Sequence, residues 1–295
     1  MNKSKIIDGR YHANIILQNV KLHIQNLSTQ HKVTPGLAVI IVGQHPASTM
    51  YVRLKAKRAR EVGINSSIHS LNEDITQDQL LEVIAQLNYD ERVHGILVQL
   101  PLPPQINLSS ILDAIDPNKD VDGFTPQNVG MLHSWRSSLE PCTPQGIMYL
   151  LKQYIPNLLG KLAVVIGRSM IVGRPMASML LREDCSVSVL HSLSDPSHLT
   201  VMCHKADILV VAAGRPEMIK GEWIKDGACV IDVGINKMED GKICGDVEFN
   251  SAYHRASFIT PVPGGVGPMT VACLLANTTK AAYQLADINP LSDGI

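Results

Sequence analysis

Tyr51 and Lys55 stand four positions apart in a stretch of helical patterning, so their side chains share one face of the helix. Gln99 ends the apolar run GILVQL, the place where ligands of parallel sheets gather, and Asp122 sits in the loop KDVDGF. A phenol, an amine, an amide and a carboxylate around one cleft can hold a flat heteroaromatic ring and move protons. A lysine on a helix is ordinarily solvated surface, and these four groups do not by themselves name the ring.

A second set lies in the other half of the chain. The segment AVVIGRSMIVGRPMASMLL reads as strand, glycine turn and helix, with Gly167 leaving the strand and Gly173 near the helix start. Glycines there let the backbone approach a phosphate, and a helix N-terminus favours negative charge. The spacing is not G-x-G-x-x-G, so a βα turn with glycine for steric reasons is equally admissible. The next strand, SVSVL, runs into His191 and Ser192 with no acid at its tip. An acid there would hold the ribose 2′-hydroxyl of NAD and repel the 2′-phosphate of NADP. Ser192 can hydrogen-bond that phosphate and Arg168 can pair with it, which leans to NADP, although both are also compatible with plain surface positions.

The elements that must position these groups follow from periodicity. Helical spacing covers 8–31; LAVIIV at 37–42 is a buried-strand run; a helix capped by Ser48 runs to Val62, where Gly63 stops it. A strand at 67–71, a helix at 76–88 and a strand at 94–100 follow, before PLPP breaks the pattern. Residues 116–146, dense in Pro, Gly, Ser and Asp, read as a long loop with short helical pieces. Strands at 162–167, 186–190, 207–213 and 228–234, a helix at 173–183 and a closing helix from Gly267 through Ala286 complete the chain. Strand–helix alternation is the grammar of parallel sheets. The expected fold is therefore α/β with two lobes. Residues 1–140 plus 270–295 form a smaller parallel sheet carrying the substrate site, with the closing helix returning to it. Residues 141–269 form a Rossmann-type dinucleotide-binding lobe.

Composition narrows the partners. With 295 residues and 45% hydrophobic content the chain can bury a large core, and with only 4% aromatics that core must be aliphatic. The net charge of −1 offers no electrostatic case for nucleic acid, and the cluster Arg53, Lys55, Lys57, Arg58 and Arg60 is local. Six cysteines lack C-x-x-C or a zinc-like spacing with histidine, so no metal site is expected. The start, MNKSKIIDGR, lacks a signal-like apolar stretch and no run approaches a membrane span. The expectation is reduced thiols in the cytoplasm and no membrane partner.

Eight blocks, in order, then carry a resemblance. VGQHPASTMYVRLKAKRAREVGI, GILVQLPLP, DPNKDVDGF, PCTPQG, VVIGRSMIVGRPM, IDVGIN, GDVEF and TPVPGGVGPMT together cover about 40 to 285. They resemble the bifunctional methylenetetrahydrofolate dehydrogenase/cyclohydrolase family. That resemblance implies oxidation of 5,10-methylenetetrahydrofolate with NADP and hydrolysis of the methenyl product to 10-formyltetrahydrofolate, in one-carbon metabolism supplying purine synthesis, by a homodimer. It implies that Lys55 transfers protons in hydrolysis, oriented by Tyr51 and hydrogen-bonded by Gln99. Asp122 would anchor the pterin, Leu100 would join the substrate contacts, and Pro263, Gly264 and Gly265 would wall the folate. Gly167, Arg168 and Ser169 would line the nucleotide phosphates and ribose, Ser192 the 2′-phosphate, and Ile235 the nicotinamide. A free lysine has a pKa of about 10.4, so as a base Lys55 would need a setting that lowers it.

One stretch departs from the family's common pattern: Leu190 stands where a Cys often precedes the His-Ser pair, and LSDPSHLTVMCH fits poorly. Two other readings compete. A different NAD(P)-dependent oxidoreductase of a small acid would use a Lys–Asp pair and have no need of Tyr51 or Gln99. A silent nucleotide-binding module would be indifferent to Lys55→Met or Asp122→Ala.

Overall fold

The computed structural model describes residues 4–291. The chain divides into two compact units, Asn14–Cys142 with Val271–Ile295, and Met1–Ala13 with Thr143–Thr270.

The first of these units contains most of α1 (Gly9–His31), then β1 (Gly36–Val42), α2 (Pro46–Val62), β2 (Asn65–Leu71), α3 (Gln77–Tyr89), β3 (Gly95–Val98), α4 (Leu108–Ala114) and α5 (Pro126–His133). Its sheet has the order β2-β1-β3, all parallel. The central strand β1, GLAVIIV, is buried along its whole length, as an unbroken apolar run should be when helices cover both faces. The edge strand β2 is polar and largely accessible, which suits an edge. Val39 and Ile41 of β1 share a core with Val20 and Ile24 of α1 and Val52 and Ala59 of α2.

Helix α2 starts earlier than its sequence suggests. Pro46 occupies the first turn and His45 the N-cap without a side-chain bond, so Ser48 lies inside the helix and does not cap it. Proline's fixed φ is preorganised for that first turn. At the other end Gly63 takes the left-handed conformation, φ 99°, that closes a helix. Thr76 and Gln79 form a reciprocal capping box on α3.

The other unit holds α6 (Cys142–Tyr154) from Thr143 on, β4 (Leu162–Ile166), α7 (Gly173–Arg182), β5 (Ser186–Leu190), α8 (Pro196–Lys205), β6 (Ile208–Val211), β7 (Cys229–Asp232), the hairpin β8 (Asn236–Lys237) and β9 (Ile243–Cys244), α9 (Phe249–Arg255), β10 (Phe258–Ile259) and the first turn of α10 (Val266–Leu285). Its five-stranded sheet runs β10-β7-β6-β4-β5, all parallel. The chain leaves β4 to one side for β5 and returns to the other side for β6. The carboxyl ends of β4 and β6 therefore flank a topological switch point, where open α/β sheets bind ligands. Leu190, the departure from the family pattern, is buried in this unit's core.

Two expectations about the ends meet different outcomes. From Val271 onward α10 belongs with the first unit: Asn277 Nδ2 donates to the carbonyls of Val121 (2.9 Å) and Glu140 (2.8 Å), and Tyr283 donates to that of His23. Residues 4–13, expected in that same lobe, instead count with the second unit. The reason is backbone pairing: Ile7 donates to Ile259 and Ile259 to Lys5, each at 2.8 Å, which extends the sheet beyond β10. Helices α4, α6, α8 and α9 were not anticipated, although Asp195 caps α8 and Pro196 opens it. All six cysteines are unpaired, and among the described residues no helix is long and apolar enough to cross a membrane.

Candidate active site

Helix α2 aims Lys55 inward. Its side chain is 6% exposed, and Nζ lies 3.1 Å from Gln99 Oε1 and 5.2 Å from the centroid of the Tyr51 ring. The aromatic face offers a further favourable surface for an ammonium. Gln99 is held by the sheet: its amide donates to Ile40 O at 2.8 Å, continuing the β1–β3 ladder one residue past β3. Its side-chain Nε2 donates to Leu100 O at 2.8 Å, which leaves Oε1 for the lysine. Lys57 and Arg58, next in sequence, are exposed and pair with Glu61, so they face away from this group.

The loop after α4 separates its charges by the partners they find. Lys119 is buried and donates to the carbonyls of Leu87, Asn88 and Asp90, binding the end of α3. Asp120 is buried and accepts from Gly123 N (2.9 Å), Thr125 N (2.7 Å) and Asn128 Nδ2 (2.9 Å). Both are consumed in building the loop. Gly123 has φ +71°, and a Cβ there would sit 2.6 Å from the Glu140 carbonyl carbon, so only glycine serves. What remains is Asp122, half-buried. Burial pushes its carboxyl up to about 6, the nearby Lys55 pulls it down, Asp120 pushes it up and a hydrogen bond from Cys142 lowers it. Burial, followed by the charges of Asp122 and Cys142, raises the Tyr51 phenol.

Tyr51, Lys55, Gln99, Leu100 and Asp122 thus belong to one unit, within one polar cluster. Cys142 completes it: its thiol is buried, donates to Val121 O at 3.2 Å, and is pushed well up in pKa by burial. The block PCTPQG holds Cys142 but assigns it no role; only the fold brings it to Asp122.

The remaining candidates lie in the nucleotide unit, at the carboxyl edge of its sheet. Gly167 follows β4 with φ +120°, and a Cβ would collide with the Ala212 carbonyl; a Cβ on Gly173 would collide with the Gly167 carbonyl. The G-x5-G spacing is therefore a packing requirement that seats α7 against the strand end. Ser169 Oγ accepts from Val172 N at 3.1 Å and Gly173 N at 3.4 Å, which ties the turn to the start of α7. Arg168 and Ser192 are exposed beyond β4 and β5, and Ile235, beyond β7, is 61% exposed. Past β10, the Val262–Pro263 peptide is cis, Gly264 has φ +111°, and Gly265 is buried. A Cβ on Gly9 would collide with the Gly265 carbonyl, so α1 begins in direct backbone contact with that turn.

Comparison with known proteins decides the family. A model described as the tetrahydrofolate dehydrogenase/cyclohydrolase catalytic domain matches residues 7–122, and one described as the NAD(P)-binding domain matches residues 141–286. The chain belongs to the tetrahydrofolate dehydrogenase/cyclohydrolase family. It is 52% identical to the bifunctional protein FolD of Paramagnetospirillum magneticum over 289 residues, 97% of each chain. Among solved structures it is similar to the bifunctional FolD of Campylobacter jejuni, with 49% identity, TM-score 0.92, and coverage of 95% of this chain and 98% of that one. It is likewise similar to FolD of Trypanosoma brucei, described as complexed with NADP cofactor and inhibitor, with 41% identity, TM-score 0.92, and coverage of 96% and 99%.

For a member of the tetrahydrofolate dehydrogenase/cyclohydrolase family the donor set suits NADP. Arg168 and Arg215 stand exposed beyond β4 and β6, and the tip of β5 ends in His191 and Ser192 without a carboxylate. Guanidinium groups match phosphate oxygens.

Proposed function

We propose that this chain oxidises 5,10-methylenetetrahydrofolate to the 5,10-methenyl form with NADP and then hydrolyses that product to 10-formyltetrahydrofolate. The observation that carries the reading is the Lys55–Gln99–Tyr51–Asp122 cluster, which combines a mobile proton, an oriented acceptor, a ring face and an anionic anchor.

Asp122, ionised near neutral pH, would bind the pterin's amino and ring nitrogens through charge-assisted hydrogen bonds. Tyr51 would contact the ring system, and the backbone around Leu100 would flank it. The carbon that reacts lies between two nitrogens, which stabilise the cation left when hydride departs. That step needs positioning and no protein base. Bound NADP supplies the hydride acceptor. Gly167, Arg168 and Ser169 would hold its phosphates and ribose, Ser192 with Arg168 its 2′-phosphate, and Ile235 its nicotinamide end; Pro263, Gly264 and Gly265 would wall the folate.

Hydrolysis places the demand on Lys55. Water adds to the methenyl carbon, one of its protons is lost, and the bond to N5 breaks as N5 gains a proton. One amine near the carbon can serve both transfers, and Gln99 holds it in place between them.

Unpaired cysteines suit a reducing compartment, so the cytoplasm is the proposed location. The homodimeric state and the supply of one-carbon units to purine synthesis follow the family resemblance. The test is an assay of the purified chain with 5,10-methylenetetrahydrofolate and each nucleotide. NADP-dependent turnover exceeding that with NAD supports the reading, and no reduction of either nucleotide removes it.

A further inference from the structure

We propose that Asp246 is a positioning residue for the nucleotide, holding the β6 loop and the segment after β7 in binding geometry. The proposal rests on the reading that this unit binds NADP.

Asp246 is fully buried, yet every donor around its carboxylate comes from those two segments. Oδ2 accepts from Ala213 N at 2.6 Å and Gly214 N at 2.9 Å; Oδ1 accepts from Arg215 N at 2.9 Å and Asn236 Nδ2 at 2.8 Å. An ionised carboxylate has about four acceptor sites, so this one is saturated. Three successive amides converging on one point form the kind of concavity that binds anions. Here the chain's own carboxylate fills it. The amides at 213–215 are thus unavailable to a phosphate, and what the loop offers at the switch point is its carbonyls and the exposed Arg215 side chain. The same carboxylate fixes Asn236, the neighbour of Ile235, and so ties together the two segments that flank β6 and β7.

The arrangement is itself anchored. Asp232, at the end of β7, accepts from Asp246 N and Val247 N, each at 2.9 Å, and from Gly234 N at 3.0 Å. A Cβ on Gly234 would collide with the Asp246 carboxylate and one on Gly245 with that of Asp232. The glycines of IDVGIN and GDVEF are therefore explained by two interlocked carboxylates.

Because hydrolysis uses no nucleotide, it serves as an internal control. Asp246→Asn turns one oxygen into an NH2 group facing amide donors. We expect its dehydrogenase kcat/KM to fall by roughly tenfold or more, chiefly through KM for NADP, with cyclohydrolase turnover unchanged. Amide exchange should quicken at 213–215 and 234–236 while β4 and β6 exchange as in the parent protein. Equal loss of both activities, or no change in KM for NADP, overturns the proposal. If Asp246→Asn does not fold, exchange in the parent protein decides: NADP should protect 213–215 and 234–236, and no protection overturns it. A parent protein that reduces no NADP defeats the reading of the unit; a parent that does, beside an indifferent variant, defeats only the role of Asp246.

Discussion

Gln99 presents its carbonyl oxygen to Lys55 Nζ at 3.1 Å because its amide nitrogen is already committed to the Leu100 carbonyl at 2.8 Å. The orientation of the lysine is thus set by backbone geometry at the end of β3, through one side chain. Gln99→Leu removes the acceptor and keeps the volume. Cyclohydrolase turnover should fall about 10- to 100-fold while dehydrogenase turnover falls much less. Product analysis of both steps checks this, and equal losses would argue that Gln99 acts on folate binding alone.

Asp122 carries a pH signature. In the folded chain its carboxyl is raised from 3.8 to about 6, so the native state holds the proton that the unfolded chain has released. The stabilising contribution is complete below about pH 4 and is lost as pH rises through about 6, a swing of at most about 3 kcal/mol. Asp122→Asn should flatten that slope and raise the thermal midpoint of the folate-free protein at neutral pH. It should also weaken folate binding, since only the ionised carboxylate makes the charge-assisted contact. In the parent protein folate affinity should drop as pH falls below about 6. Unchanged folate affinity in Asp122→Asn contradicts the anchoring role.

Arg168 stands exposed beyond β4 with its side chain available to a phosphate. Arg168→Ala should raise KM for NADP by about tenfold and KM for NAD much less, the difference being one charge-assisted contact. Steady-state kinetics with both nucleotides measures it. Parallel increases would assign Arg168 to a part common to the two.

Gly9→Ala tests the contact between the start of α1 and the turn at 263–265. A methyl there meets the Gly265 carbonyl, a backbone atom that cannot swing aside. Overpacking of this kind costs about 1–3 kcal/mol, which denaturant unfolding would register. An unchanged midpoint would mean that the turn accommodates the methyl.

The strands were legible because β1, β3, β4, β6 and β7 are apolar runs buried along most or all of their length. The pairing of Tyr51 with Lys55 was legible because helical spacing fixes which side chains share a face. Asp120 and Asp122 could not be told apart by type, since both are acids in one loop; only the fold commits the oxygens of Asp120 to Gly123, Thr125 and Asn128. Asp246 stands in the block GDVEF, but its role left no signal because its partners are mostly backbone amides some thirty positions away. The placement of residues 4–13 was missed for a similar reason: their pairing is with Ile259, some two hundred and fifty positions away in sequence.

The most direct test of the account is the product formed by Lys55→Met from 5,10-methylenetetrahydrofolate and NADP. NADPH and the absorbing methenyl form should accumulate together in the variant. The parent protein should yield NADPH with methenyl appearing only after acidification of the 10-formyl product. If Lys55→Met still hydrolyses the methenyl form at the parent rate, Lys55 is not the proton-transfer group and the assignment of the site is wrong.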